Sequence, residues 1–350
     1  MTLEKPAVAL QQVSVGGQAV VEGVMMRAPG ATSVAVRRPD GSLAVRVKIA
    51  QRIASRYPIL ARPGLRGVAM LLETMVDGMS ALAFAADQAM PEEERPTGAI
   101  TPVALALTLA FSMAFGFFLF AVVPHILTWA FGLAVGSDAL SGGRAMSFHL
   151  LDGVVKFCIF IGFVWMMSRM KDMRRVFEYH GAEHQAVHAF EHRLPLTVGS
   201  LASFPTAHPR CGTAFMVTVI AVSILVFAVI FPFIPEVSGI RILNQAAFVA
   251  IKLPLVLPVA GLSYELIRYA GKKQDGLFGR ILSAPGVWMQ AITTQKPDAS
   301  QQEVAIVALD AALAPEAFGV TALNPQKTVF FRDIAEFEAS LVVAGGEGAP

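Results

Sequence analysis

The sequence predicts a polytopic α-helical membrane protein, with about four transmembrane helices and a small cytoplasmic α+β head at its N terminus. Three observations support this fold class. Hydrophobic residues make up 55% of the 350 residues and charged residues only 15%, whereas soluble domains carry about 25% charged residues. The mean hydropathy is +0.58, and the apolar residues are concentrated in long segments. Nearly all of the basic residues lie outside these segments.

The head is predicted to cover residues 1–98. Residues 32–38 and 42–49 alternate between apolar and polar side chains, and the Pro-Asp-Gly sequence near their junction favours a turn. This pattern predicts a β-hairpin. Residues 66–90 predict an amphipathic or strongly apolar helix. The N terminus lacks an apolar segment long enough for a cleaved signal peptide, so we expect the internal apolar segments to direct the chain to the membrane.

Four segments within residues 99–268 are apolar enough to cross a bilayer, which takes about 20 residues. They are residues 100–123, 153–167, 213–234 and 246–266. Pro124 predicts the end of the first span. Residues 126–135 are too few for another span, so an interfacial segment is expected there.

Two lysines and two histidines lie within or beside these spans. Lys156 and Lys252 are placed near span ends, where a long side chain can reach the membrane surface. His125 and His149 lie toward the outer face and receive no predicted role.

The basic residues predict the orientation in the membrane. Of the 28 Lys and Arg residues, 24 lie before the first span, between the second and third spans, or after the fourth. Basic segments stay in the cytoplasm, so both termini and the loop 168–212 are expected there. Residues 269–323 predict a cytoplasmic tail with a helix at 300–313, and residues 324–350 are expected to be weakly ordered. The net charge of +2 does not favour nucleic acid as a partner.

Four of the seven histidines lie within thirteen residues of the cytoplasmic loop, in two consecutive His-x-x-Glu-His patterns. They are His180, His184, His188 and His192. Residues four apart share one face of a helix and can bind one metal together. His180 and His188 lie about 12 Å apart along a helix, too far to bind the same ion unless the helix breaks between them.

The first pattern has the residue types of a zinc-dependent hydrolase. His180 and His184 would bind the metal, and Glu183 would act as general base on a water held by it. The third ligand is open between His208 and Cys211, which precede the third span.

Further acidic and histidine residues are candidates for the same centre. His188 and Glu191 are rivals for the third ligand position. Glu265, at the end of the fourth span, and Glu22, in the head, are candidates for an alternative ligand or a residue supporting the ligands.

Four motifs carry a resemblance to a known family. They are residues 16–27 (GGQAVVEGVMMR), 179–184 (YHGAEH), 208–213 (HPRCGT) and 264–266 (YEL). The chain resembles the YqhQ-like family of bacterial membrane proteins, a family of undefined function whose members are labelled predicted metal-dependent enzymes. The resemblance implies a metal-dependent protein of the bacterial cytoplasmic membrane and supplies no substrate. It covers the first His-x-x-Glu-His pattern more firmly than the second, which makes His192 the weakest ligand candidate.

Three functional hypotheses follow. The first is a metal-dependent, and specifically zinc-dependent, hydrolase that acts at the cytoplasmic membrane face on a membrane protein, a peptide or a lipid-linked group. The second is a scaffold or assembly factor that the metal stabilises without catalysis. The third is a metal or ion transporter, which the lack of an internal repeat disfavours. The oligomeric state stays open.

Overall fold

The fold consists mostly of helices around one antiparallel sheet. A computed structural model of the chain describes residues 14–50, 53–94, 102–209, 211–272 and 276–346. The prediction that the N terminus lacks a cleaved signal peptide concerns residues outside these ranges.

The chain begins with four strands and returns to the same sheet near its end. The strands are β1 (Gly16–Val20), β2 (Gly23–Arg27), β3 (Ala31–Arg37), β4 (Leu43–Ile49) and β5 (Gln326–Phe331). The α-helices in the described ranges are α1 (Ile53–Arg56), α2 (Leu65–Ala89), α3 (Pro102–Phe117), α4 (Val123–Ala134), α5 (Asp138–Ser141), α6 (Met146–Met167), α7 (Lys171–Glu191), α8 (Val198–Ala202), α9 (Gly212–Ile230), α10 (Arg241–Lys272), α11 (Leu277–Thr293), α12 (Ala299–Leu313) and α13 (Ile334–Gly346).

The five strands pair in sequence order, each antiparallel to the next. The predicted hairpin is confirmed as β3 and β4, with Gly41 in the left-handed region of the turn at a φ of 86°. The first hairpin, β1 and β2, was not predicted as strands. The residues of β2 are buried from both faces, because Met26 points to one layer of helices and Met25 to the other. A strand buried on both faces loses the alternating pattern that identifies strands in a sequence.

The expectation of a weakly ordered C terminus is wrong. Strand β5 pairs with β4 along six residues, and helix α13 follows it. Phe318, Phe331 and Phe337 are buried together, with ring centroids 5.3–6.5 Å apart. The segment misled the sequence analysis because β5 is an edge strand whose first residues are polar and exposed, so that few apolar side chains mark it.

Helices cover both faces of the sheet. Helices α7 and α12 pack on one face, and α2 packs on the other through Ala81 and Ala85. Helix α12 confirms the predicted helix at 300–313. Asp298 and Gln301 form a capping box at its start, in which each side chain binds the other residue's backbone N–H. Ten of its fifteen residues are buried, so this helix fills the centre of the domain.

In the part of the chain that the structure describes, five helices are long and apolar enough to cross a membrane, one more than the four predicted. They are Leu65–Ala89, Ala110–Ala134, Met146–Met167, Gly212–Phe233 and Arg241–Tyr269. The additional helix is α2, which the sequence analysis predicted as a helix but placed in the head. Its length and composition alone also meet the requirements of a span.

Pro124 does not end the first span, contrary to expectation. The helix continues from α3 into α4 through a π-helical segment, Phe118–Val122. Proline is tolerated in the first turn of a helix, because a backbone N–H at that position has no partner within the helix. The π segment changes the hydrogen-bond register just before the proline, and α4 begins a new first turn at Val123.

The burial of the C-terminal aromatic residues leads to a test of the fold. Replacing Phe337, which is fully buried, by alanine leaves a cavity and should lower the free energy of unfolding by about 3–5 kcal/mol. Phe330→Ala is the control, because Phe330 is 54% exposed on the neighbouring strand and should cost less than about 1 kcal/mol. Thermal unfolding of the two variants measures the difference. Equal, small effects would contradict a folded C terminus.

Candidate metal centre

Helix α7 has two different faces. Tyr179, Ala182 and Ala186 are fully buried against the core formed with α12 and the sheet. His180, Glu183 and His184 lie on the other face, toward the chain segments around residues 206 and 293. The sequence therefore anchors the helix with small apolar residues on one side and presents the His-x-x-Glu-His pattern on the other.

Three possible ligand atoms converge beside this face. His180, His184 and Cys211 each offer one atom, and these atoms lie within 4.8 Å of one another. The distance from His180 Nε2 to Cys211 Sγ is 3.2 Å. Glu183 Oε2 lies 3.9 Å from His180 Nε2 and 3.8 Å from His184 Nε2. The carboxylate thus stands next to both histidine nitrogens.

The two histidine rings are held so that Nε2 faces this centre. His180 Nδ1 lies 2.8 Å from the carbonyl oxygen of Thr293, and His184 Nδ1 lies 2.6 Å from that of Thr206. A carbonyl oxygen only accepts hydrogen bonds, so each Nδ1 carries the proton and each Nε2 keeps a free lone pair. Histidines that bind metals are commonly oriented in this way.

Gly181 allows the segment that orients His180 to approach. A Cβ at this position would collide with the carbonyl oxygen of Gln295. The absent side chain lets residues 293–295 lie directly against α7, where Gln295 N donates to the carbonyl of Phe177 at 2.9 Å. The glycine of the YHGAEH motif therefore has a packing role that serves the neighbouring histidine.

Cys211 is the N-cap residue of α9, just before the first turn of the helix. Its Sγ accepts hydrogen bonds from the backbone N–H of Thr213 at 3.4 Å and from its hydroxyl at 3.2 Å. Burial raises the pKa of the thiol, and the contacts with Thr213 oppose this. A metal ion would favour the thiolate further. The preceding loop is fixed by Gln290, whose amide bonds both backbone groups of His208.

Burial controls the charges of the centre. Glu183 is 5% exposed, and burial raises its pKa to about 7. The neighbouring His180 and, to a smaller extent, the backbone N–H of Gly17 on β1 oppose this rise. Burial lowers the pKa of His184 far below its usual value, and the neighbouring His180 adds to the effect. At neutral pH, His184 is therefore uncharged, as a metal ligand must be.

The second histidine pattern forms a neighbouring cluster and does not contribute to the centre. His188 Nε2 lies 2.9 Å from the carbonyl oxygen of Ala207, and its ring stacks on Phe204. His208 Nε2 lies 3.3 Å from Glu191 Oε2. Of the candidates for the third ligand, the structure thus brings Cys211 to the centre, whereas His188, Glu191 and His208 engage other groups.

The remaining candidates lie elsewhere. Glu265 forms an ion pair with Arg66 and accepts a hydrogen bond from Gly64 N at 3.1 Å. Glu22 binds Arg175, and the Tyr179 hydroxyl donates to it at 3.2 Å, so it anchors α7 one residue before His180. His192 is exposed at the end of the helix.

The fold and this centre define the class of protein. The chain belongs to the family described as "Protein of unknown function (DUF1385)", whose model matches residues 62–315. The match includes the apolar helices, His180, Glu183, His184 and Cys211.

A relative along nearly the whole chain confirms the resemblance to the YqhQ-like family. "Uncharacterized protein YqhQ" from Bacillus subtilis (strain 168) is 30% identical over 329 residues, which cover 90% of this chain and 96% of that protein. No solved structure matches the chain.

The close approach of β1 to Glu183 leads to a matched pair of variants. A Cβ at Gly17 would lie 2.8 Å from Glu183 Cγ and 2.5 Å from the carbonyl oxygen of Met25, whereas a Cβ at Gly16 meets nothing within 4 Å. Gly17→Ala should therefore displace Glu183, lower the unfolding free energy by about 1–3 kcal/mol and weaken zinc binding by roughly 10–100-fold. Gly16→Ala should leave both unchanged. Thermal unfolding and a zinc titration check this, and equal behaviour of the variants would contradict the contact.

Proposed function

We propose that the protein is a metal-dependent hydrolase whose active centre lies where the helical bundle meets the cytoplasmic domain. The convergence of His180 Nε2, His184 Nε2 and Cys211 Sγ beside the carboxylate of Glu183 supports this proposal. A metal held by these ligands would activate water and polarise an oxygen of the substrate. Its position beside α9 suggests a substrate that is a membrane protein, a peptide or a lipid-linked group.

Two nitrogen ligands and one sulfur ligand favour zinc. Catalytic zinc sites typically have three protein ligands, and the fourth position is left for water or substrate. The side chains fit this arrangement, because the carbonyl groups of Thr206 and Thr293 orient the rings without using Nε2.

Glu183 has the properties of a general base. A base works best when its pKa lies near the working pH, and burial raises the pKa of this carboxyl to about 7. Gly17 packs closely against the Glu183 side chain, whose carboxylate lies beside both histidines. Glu183 can therefore accept a proton at a fixed place next to the ligands.

A scaffold stabilised by metal is the second candidate. The distances from Glu183 Oε2 to the two Nε2 atoms, 3.9 and 3.8 Å, are short enough for a small movement to make it a fourth ligand. Four protein ligands would close the centre, as in structural zinc sites.

The metal content of the purified protein tests the centre itself. We expect about one zinc per chain in lipid nanodiscs, lost in His184→Ala and in Cys211→Ser, because a site with three protein ligands rarely survives the loss of one. His192→Ala is the control, since His192 is exposed outside the centre and its loss should change nothing. Elemental mass spectrometry gives the counts. Folded wild-type protein that takes up no zinc would refute the metal centre.

Cobalt(II) in place of zinc separates catalysis from scaffolding. If Glu183 is a base and one metal position is open, an added anion such as azide should change the visible spectrum, and Glu183→Gln should leave the spectrum of the cobalt protein nearly unchanged. If Glu183 is a ligand, the substitution should change the spectrum and azide should not.

We further propose that four of the five apolar helices cross the membrane. Strands β1–β4 and helices α7 and α12 belong to one domain, so the chain must cross an even number of times between β4 and α7. Three apolar helices lie in that interval: α2, the joined α3–α4, and α6. Helix α2 rests on the sheet through Ala81 and Ala85, and Asp77 on it pairs with Arg27 of β2. It is therefore the helix that does not cross.

The concentration of basic residues supports a cytoplasmic place for this domain, because segments rich in Lys and Arg remain in the cytoplasm. Trp165 and Trp288 are largely exposed near the end of the bundle next to the domain. Tryptophan is enriched at membrane surfaces, so these residues support a membrane boundary there.

Labelling of single cysteines tests this topology. Ile59→Cys and Glu93→Cys lie before and after α2, and Val237→Cys lies in the loop between α9 and α10. A maleimide that does not cross membranes should label Val237→Cys in intact cells and the other two only after permeabilisation. Labelling of Ile59→Cys and Glu93→Cys from opposite sides would mean that α2 crosses.

A further inference from the structure

The bundle contains a second cluster of ionisable side chains, far from the histidine centre. His125, Asp152, Lys156 and Lys252 come from three helices, and none is more than 6% exposed. Lys156 lies ten residues inside α6, about 15 Å from its start, so the cluster lies near the middle of a hydrocarbon core about 30 Å thick. Phe227, which packs on it, is about 24 Å along α9 from Cys211. Both lysines therefore lie too deep to reach the membrane surface, contrary to the sequence analysis.

The charges of the cluster do not balance. Lys252 Nζ lies 3.0 Å and Lys156 Nζ 3.6 Å from the same oxygen, Oδ2 of Asp152. Among the described residues, Oδ1 of Asp152 has no hydrogen-bond partner. Two ammonium groups thus share one carboxylate, and the cluster carries one excess positive charge when all three groups are ionised.

Among the described residues, no carboxylate other than that of Asp152 forms an ion pair with either lysine. The only ionisable side chain that α4 brings to the cluster is His125. Helix α6 also brings His149, and α10 also brings Gln245, which is uncharged. Helix α9 carries no charged residue. Arg144, the nearest further cation, lies at the end of the bundle, where it donates to the carbonyl of Pro232 at 3.0 Å.

The ring of Phe227 compensates the excess charge only in part. It lies 5.1 Å from Lys156 Nζ and 5.8 Å from Lys252 Nζ. A cation–π contact is weaker than the attraction of a carboxylate, and it does not offset the cost of burying an unpaired ion. Loss of one proton removes the excess.

A chain of hydrogen bonds leads from this cluster to the end of the bundle opposite the histidine centre. Lys252 Nζ donates to His125 Nδ1 at 3.1 Å, and His125 Nε2 donates to Gln245 Oε1 at 2.8 Å. Gln245 Nε2 donates to the carbonyl oxygen of Ser141 at 3.1 Å. His125 is therefore neutral, with Nδ1 free to receive a proton from Lys252.

The helices that carry these groups are interrupted beside them. Pro254 and Pro258 follow Lys252 in α10, and each lacks the N–H that would bond the preceding turn. The π-helical segment Phe118–Val122 ends three residues before His125. Such segments are frequent at functional sites and give a helix room to move.

We propose that Asp152, Lys156, Lys252 and His125 form a proton-exchange site in the middle of the bundle. One N–H bond of the Lys252 ammonium breaks, the nitrogen keeps the electron pair, and the proton leaves by way of His125 to water. The cluster changes from one positive charge to none, while Asp152 stays paired with Lys156. Ionisable residues inside membranes commonly serve proton transfer, and this site would make the bundle respond to protons independently of the metal centre.

The test counts protons in the full-length protein in nanodiscs. We subtract the titration of Lys252→Met from that of the wild type. The difference should show one proton that is released at a lower pH than the protons of ordinary lysines, whose pKa is about 10.4. Lys156→Met should remove the same proton, because either variant leaves one neutral Lys–Asp pair. Lys327→Met is the control, since Lys327 is exposed on β5 and its proton should appear in the ordinary range.

Three results would overturn the proposal. One is that Lys252 loses its proton at the same pH as Lys327. The cluster would then be a fixed network of ion pairs. Another is a proton count that changes when chloride is replaced by gluconate. A bound chloride ion would then balance the excess positive charge of the cluster. If neither variant folds, nitrogen-15 NMR of the lysine side chains in the wild type decides: the proposal requires one Nζ that titrates apart from the rest, and its absence refutes it.

Discussion

The structure depends on the burial of helix α7, because all of its residues from Tyr179 to Phe190 are buried or partly buried. Polar groups in such a helix need partners. The helix finds them in distant parts of the chain: Gln185 bonds Gln302 of α12, Glu178 bonds Gln301, and Tyr179 bonds Glu22 of the turn after β1. The same requirement orients the two histidines toward backbone carbonyls, so the packing of the domain also shapes the metal centre.

The sequence predicted the part of the centre that lies on one helix and left the rest open. Spacing alone identified His180, Glu183 and His184, because a helix fixes the relation of residues three and four apart. The third position depends on the loop between α8 and α9, and nothing local distinguishes His208 from Cys211. The decision comes from long-range contacts: Gln290 fixes the backbone of His208, and Glu191 binds its ring. Gly17 also comes from a strand that residue patterns did not reveal.

The fold shows the same division between local and distant information. Long apolar helices and the β3–β4 hairpin are marked by composition and alternation, and the sequence predicted them. Whether α2 crosses the membrane depends on the sheet against which it packs, which composition does not report. Lys156 and Lys252 were assigned to span ends because the predicted spans began at residues 153 and 246, whereas α6 begins at Met146 and α10 at Arg241. The i,i+4 spacing of Asp152 and Lys156 was the available signal of a buried pair.

The first four strands pack against β5 and α12, which lie near the other end of the chain. This arrangement affects how the protein folds while the ribosome makes it. The core face of the N-terminal sheet is covered by α12, and the free edge of β4 is covered by β5. About 250 residues separate β4 from α12, and ribosomes need roughly 10–50 s to make them. During that time the apolar helices are made, while an apolar sheet face and an unpaired strand edge of the nascent chain stay uncovered. The nascent chain is therefore most exposed to aggregation and proteolysis in this interval, and it is protected only when nearly the whole protein has left the ribosome.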